Sequence, residues 1–277
     1  MENETYIKRL KDRLQIEFKK QDRSGVYGYT QRSMAYNSNR IEGSTLTEKQ
    51  TASMFETGTL YVDDPDMIFR TKDIEEMNGH FKMFNYVMKC MEKPLSEDII
   101  KNMHKNLKEG VFEDRANGYA IGGWRKRANR VSDIQTALPQ EVPEKIHQLL
   151  EKYHNAEKIT LYDIAKFHAQ FENIHPFQDG NGRTGRLILN YMLEKEGYPP
   201  IALKHDAKQD YKKSLEEWQV RGNPKMFLDV VKNYVLDELQ ERIRIITVTR
   251  ETMKVLNMDL KYENSEKPME LDDDLEI

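Results

Sequence analysis

The chain has 277 residues, 38% hydrophobic and 32% charged, and its 43 basic and 47 acidic side chains nearly cancel to a net charge of −4. This balance offers no global argument for nucleic acid as a partner, and no run of 18 or more apolar residues is present to span a membrane. The single cysteine, Cys90, excludes an internal disulfide and any multi-cysteine metal site. The first residues, MENETYIKRLKDRL, are polar and lack the apolar stretch of a secretory signal, so a reducing cytoplasm is the expected location.

In chain order, Ile74, Met77, Phe81, Phe84, Val87 and Met88 recur on one face of a helix, with Cys90 behind them as core filler. Ser96 is placed to cap a helix carrying Ile99, Ile100, Met103 and Leu107. The three lysines between Lys101 and Lys108 read as its solvated face. From Gly122-Gly123-Trp124 to Pro139 the period is lost, which predicts a loop with a short hairpin. Pro143 then sits in the first turn of a helix with Ile146, Leu149, Leu150 and Tyr153. Thr160 opens another with Leu161, Ile164, Ala165, His168 and Phe171. A helix from about Arg183 carries Leu187, Ile188, Tyr191 and Met192, and Gly197 and Pro199-Pro200 stop it. Tyr211, Leu215 and Trp218 mark a further helix, and Asn223-Pro224 starts a long one through Leu239. From about Glu263 the chain is acidic and nearly free of aromatic residues, the composition of a disordered tail. The predicted class is all-α. The expected organisation is a helical region at 1–70, a core domain at 71–245 and an extension at 246–277.

Between two of these helices lies IHPFQDGNGRTGR, Ile174 to Arg186. Gly180, Gly182 and Gly185 form a G-x-G-x-x-G, but a dinucleotide loop needs a strand before it, and here a helical pattern precedes it. The P-loop reading fails as well, because Arg186-Leu187 stands where Lys-Ser/Thr is required. Phosphate binding survives on other grounds. Gly180, Asn181 and Gly182 can expose backbone N–H groups as an anion nest at a helix N-terminus. Arg183 and Arg186 flank that terminus, and their planar forks suit phosphate. Asp179 makes sense beside a phosphate if Mg²⁺ bridges the two. A neutral His175 would take the proton of an incoming hydroxyl.

HPFQDGNGRTGR resembles the Fic motif, H-x-F-x-[D/E]-G-N-G-R-x-x-R, at every specified position. The resemblance continues less sharply from about Glu75 to Tyr234, through Gly123-Trp124-Arg125 and Gly197 to Pro200. It implies a Fic fold: a helical bundle with one β-hairpin, the flap, expected near Asn129 to Leu138. It also implies a nucleotidyltransferase that moves AMP from ATP, with Mg²⁺, to a hydroxyl of a target protein, which it holds by strand addition at the flap. On that resemblance His175 is the general base, Phe177 locks the loop and Asp179 holds Mg²⁺. Gly180, Asn181 and Gly182 cradle the phosphates, Arg183 contacts the phosphate chain, and Arg186 grips the γ-phosphate. Asn190 and Tyr211 are candidates to lie near the adenosine, with core packing an equal reading for Tyr211.

Upstream, Ser38-Asn39-Arg40-Ile41-Glu42-Gly43 matches the family's inhibitory pattern, [S/T]-x-x-x-E-[G/N]. Ser38 and Glu42 are four apart and share a helical face. The resemblance pairs Glu42 with Arg186 and implies autoinhibition within the chain; a helix C-terminus is the plain alternative for Glu42-Gly43. The expected partners are ATP and a protein with an exposed hydroxyl, the chain itself included, and the family also contains homodimers. AMP removal using Glu42, transfer from another phosphate donor and a non-catalytic ATP-binding module are the alternative functions. His80, His104, His147, His154, His168 and His205 show no metal-binding spacing and read as structural or surface residues.

Overall fold

The structure is a computed structural model that describes residues 12–64, 66–131 and 134–255. Helix α1 covers residues 12–20. It is followed by α2 (Val26–Ile41), α3 (Glu48–Thr57), α4 (Thr71–Cys90), α5 (Glu97–Lys108) and the short α6 (Phe112–Ala116). Strands β1 (Arg130–Val131) and β2 (Ile134–Gln135) then pair antiparallel, Arg130 opposite Gln135 and Val131 opposite Ile134. A 3₁₀ turn at Pro139–Glu141 leads into α7 (Val142–His154), α8 (Leu161–Ile174), α9 (Asn181–Lys195), α10 (Lys208–Arg221) and α11 (Lys225–Val255). The fold is all-α with one small hairpin, and the hairpin falls in the stretch that lacks helical period. Among the described residues no helix is long and apolar enough to cross a membrane. The acidic tail expected from about Glu263 lies outside the described residues.

Local chemistry explains the element ends. The Ser96 side chain accepts from the Ile99 N–H, and Thr160 and Asp163 form a reciprocal capping box at α8. Gly197 and Gly222 follow α9 and α10 with φ of +89° and +67°, a region closed to most side chains. Helix α9 begins at Asn181, two residues before the expected Arg183. Gly180 is its N-cap at φ 82°, and the Asn181 side chain folds back onto Phe177. On α4, a Cβ at Gly79 would stand 2.0 Å from the Leu107 carbonyl oxygen, so glycine there permits the close approach of α4 and α5.

Helix α9 is the centre of the molecule. All of its residues except Gly182 and Lys195 are buried, although only one apolar face was legible in its sequence. It packs against α8, α5, α2 and α4. The N-terminal helices join the same core: Leu14, Phe18, Val26, Tyr27, Met34 and Ile41 cluster with Met83, Phe171 and Ile188. Each fully buried Leu, Ile or Phe in this core contributes about 1.5–3 kcal/mol. The packing of α2 onto α4 and α9, rather than a flexible tether, therefore sets where Glu42 lies.

Candidate active site

The α8–α9 loop is held rigidly. His175 ends α8 in the left-handed region, φ 53° and ψ 60°, a conformation that costs a non-glycine residue about 1 kcal/mol or more. Arg125 offsets that strain. It is 2% exposed, its backbone N–H donates to the Pro176 carbonyl (2.9 Å), and its Nε donates to the His175 carbonyl (2.8 Å). The same guanidinium donates to Thr136 Oγ1 and the Ala137 carbonyl at the end of the hairpin. Phe177 is fully buried and stacks on the His104 ring, centroids 3.8 Å apart. Asn181 accepts from the Phe177 N–H and donates to the Phe177 carbonyl, both at 2.7 Å.

His175 Nδ1 faces the Glu172 carbonyl at 3.3 Å. A carbonyl only accepts, so Nδ1 carries the proton and Nε2 keeps a free lone pair. Burial lowers the His175 pKa despite that hydrogen bond, which keeps the imidazole neutral near pH 7. The loop thus presents a neutral imidazole whose backbone is tied to the end of the hairpin through the Arg125 guanidinium.

On the other side of the loop, Asp179 Oδ1 accepts from the Gly180 N–H at 2.7 Å and faces Arg183 at 3.4 Å. Its Oδ2 accepts from Lys108 at 2.8 Å, with Lys72 at 3.5 Å. Burial opposes the charge, but Arg183 and Lys108 prevail and hold the carboxyl well below the usual range. Arg183, 2% exposed, pairs with Glu76 from α4. Lys108 is not on a solvated face: it is fully buried and also pairs with Glu76 (2.5 Å) and Asp114 (2.8 Å). The lysine run placed it outside because a single lysine gives no signal of three carboxylates arriving from α4, α6 and the loop.

Above the start of α9 sits Glu42, the residue that closes α2. Its carboxylate accepts from Arg186 at 2.6 Å, and Arg186 also donates to the Ser38 hydroxyl (2.9 Å) and the Ser38 carbonyl (3.1 Å). A Cβ on Gly182 would lie 2.3 Å from Glu42 Oε1, so the carboxylate rests directly on the glycine turn. Burial raises the Glu42 pKa, but Arg186 and Arg183 more than offset it, and the group stays ionised. An anion already occupies the place where the sequence predicts a phosphate to bind.

Residues 94–193 match the family described as Fic/DOC. The chain contains a Fic domain. Over 185 residues it is 26% identical to the protein adenylyltransferase Fic of Nematostella vectensis, covering 66% of this chain and 42% of that protein. It is 32% identical over 186 residues to the protein adenylyltransferase Fic of Drosophila melanogaster, covering 64% of this chain and 35% of that protein. The chain therefore spans less than half the length of these curated relatives. A Fic domain containing signaling protein from Bacteroides thetaiotaomicron superimposes with a TM-score of 0.69 at 23% identity, covering 85% of this chain and 97% of that one. Fic-1 from Caenorhabditis elegans also gives 0.69 at 23% identity, over 89% and 73%. These two share the fold.

The remaining candidates make contacts within the protein itself. The Asn181 amide is used on Phe177, so what the residue offers a ligand is its backbone. Asn190 donates to the Arg186 and Ile201 carbonyls and accepts from the Ile201 N–H, which fastens residue 201 to α9. Tyr211 is buried and donates to His168 Nε2 at 2.9 Å, while His168 Nδ1 donates to the Gly185 carbonyl. In this arrangement the side chains of Asn190 and Tyr211 take part in the packing of α8, α9 and α10, and Tyr211 also lies beside Arg186. His104 is structural in a specific sense: Gly122 N–H donates to its Nδ1, so its Nε2 proton goes to the Asp179 carbonyl.

Sequence reasoning did not single out Arg125, Asn129, Lys108, Glu76 or Glu172. Asn129 donates to the Phe177 carbonyl at 3.2 Å and helps anchor the hairpin. Burial pushes the Glu172 carboxyl up to about 7, and its Oε1 has no hydrogen-bond partner. Of these five, Arg125 left a trace in the Gly123-Trp124-Arg125 segment, Asn129 only as the edge of the expected hairpin and Lys108 only as part of a lysine run, while Glu76 and Glu172 left none.

Proposed function

We propose that this protein transfers AMP from ATP to the hydroxyl of a Ser, Thr or Tyr on a target protein, and that Glu42 restrains it. The observation that carries this reading is the Glu42 carboxylate bound to Arg186 and seated on Gly182, with a neutral His175 intact on the same loop. A pure ATP-binding module would need no base. The names of the relatives in Nematostella and Drosophila support the same reaction class.

The chemistry follows from the residues present. The target hydroxyl gives its proton to His175 Nε2 as its oxygen attacks the α-phosphorus. The bond from that phosphorus to the bridging oxygen breaks, and pyrophosphate leaves. The backbone N–H groups of Asn181 and Gly182 and the α9 macrodipole stabilise the phosphate charge, while the Gly180 N–H is given to Asp179. Arg186 grips the γ-phosphate once Glu42 withdraws, and Arg183 adds a fixed positive charge. Asp179 fits magnesium, being ionised, 34% exposed and next to the anion nest, and Mg²⁺ takes one or two carboxylates and otherwise waters and phosphates. Bound there, the ion would neutralise charge on the α- and β-phosphates. The target segment adds as a strand to the hairpin, beside a cleft of about 290 Å³ lined by Thr136, Ala137, Leu138, Glu141, Lys145, Asn173 and Ile174. A reducing cytoplasm suits the buried, unpaired Cys90.

The test is incubation of wild type, Glu42→Gly and His175→Ala with α-labelled ATP, followed by mass spectrometry. Glu42→Gly is expected to raise incorporation of AMP, self-modification included, by about tenfold or more, the scale of a typical inhibitory coupling. His175→Ala abolishes it. Equal labelling of wild type and Glu42→Gly removes the inhibitory role. Bound ATP with no label in either refutes transfer, and an added phosphate in place of AMP refutes the donor assignment.

A further inference from the structure

Lys108 stands apart from the chemistry described above. Its ammonium is fully buried and lies where three carboxylates converge: Glu76 at 2.5 Å, Asp114 at 2.8 Å and Asp179 at 2.8 Å. These come from α4, α6 and the α8–α9 loop, and Lys108 is the last residue of α5. Glu76 also pairs with Arg183, and Lys72 lies 3.5 Å from Asp179. Lys72 is itself shared with Glu113 at 3.0 Å, so four carboxylates meet three cations and the cluster carries at most one net negative charge. Asp114 is 2% exposed, and its Oδ1 has no hydrogen-bond partner. The convergence point therefore has an acceptor to spare.

Oxygens 2.5–2.8 Å from a common centre suit an ammonium and are too distant for magnesium, which requires about 2.0–2.1 Å. Accordingly, among the described residues no group of His, Cys, Asp or Glu is arranged to hold an ion by itself. Placing a divalent ion beside this cluster would still leave at least one uncompensated positive charge near a buried lysine and a buried arginine. A triphosphate brings the negative charge that offsets it.

We propose that Lys108 is a positioning residue for the transfer reaction: its ammonium fills the point between Glu76, Asp114 and Asp179, fixes Asp179 through Oδ2, and so confines magnesium to the complex with nucleotide. This rests on the adenylyltransferase reading for its purpose, but it concerns metal binding and is tested without turnover. The lysine keeps the acidic residues from capturing an ion in the wrong place. Asp179 Oδ1 is not held by Lys108; it accepts from the Gly180 N–H and has a further lone pair for an ion that arrives with ATP.

The probe is Mn²⁺, with the free ion measured by electron paramagnetic resonance in the absence of nucleotide. Wild type is expected to leave Mn²⁺ free. Lys108→Met is expected to take up one equivalent at least about tenfold more tightly, because a charge a few ångströms from the ion is removed. Adding Asp114→Asn to that variant reduces the gain. Circular dichroism and thermal melting check folding, and if Lys108→Met does not fold, the double variant, which drops one charge of each sign, is read in its place and still binds more tightly than wild type. Mn²⁺ binding by wild type without nucleotide, within about threefold of the variant, overturns the proposal, as does a folded variant that gains nothing. A failure of the transfer reading would appear separately, as absence of AMP incorporation in Glu42→Gly with this Mn²⁺ pattern intact.

Discussion

Replacing Asn181 with alanine distinguishes a residue that holds the loop from one that only touches phosphate. The side chain is 2% exposed and makes two 2.7 Å hydrogen bonds to the backbone of Phe177. The Phe177 carbonyl keeps a second donor in Asn129 at 3.2 Å, but Asn181 is the partner given to the Phe177 N–H. Alanine therefore costs one net hydrogen bond and orphans one buried donor, together about 2–4 kcal/mol. In a domain of this size that lowers Tm by about 4–16 °C. The assay is thermal denaturation without nucleotide, alongside Asn181→Asp, which keeps an acceptor for the N–H but sets a carboxylate against the carbonyl. An Asn181→Ala protein that melts within about 2 °C of wild type, yet no longer binds ATP, would refute the structural role and restore the amide to the phosphates.

Arg125→Lys, measured in the Glu42→Gly background, should lower kcat by about 10²-fold with ATP affinity little changed, because the guanidinium aligns His175 with the hairpin and touches no phosphate; a loss confined to ATP affinity would contradict this. Stability should fall in acid, because burial lowers the pKa of His80, His104 and His168 to about 3 against an ordinary value of 6.5. The unfolded chain binds more protons between those values, so each histidine removes about 1.4 kcal/mol per pH unit as pH drops below 6.5. Glu172 acts with the opposite sign: its raised pKa of about 7 makes its contribution decline as pH rises from about 4.5 to 7, and Glu172→Gln should remove that decline. Denaturant titrations at several pH values read both effects, and a pH-independent midpoint from pH 7 to 5 would count against the neutral histidines.

Much of the fold and site was legible without coordinates, for local reasons. The caps at Ser96 and Thr160, the first-turn Pro143 and the stop at Gly197 are interactions within a few residues of one another, so the sequence carries them directly. The loop from His175 to Arg186 is likewise contiguous: its glycines, its arginines and its position before a helix were enough to infer an anion site. Even the Glu42–Arg186 pairing was visible, but only because two separated motifs were recognised together. Tertiary structure decided which charges meet. Lys108 looked like any exposed helix lysine until α4, α6 and the loop brought Glu76, Asp114 and Asp179 around it. Asn181 and Asn190 offered the same amide in sequence, and only packing showed both spent on backbone groups. The physical reason is that burial and pairing are properties of space between elements: a side chain's charge and shape are written in the chain, while its solvent and its partner are set by what folds against it.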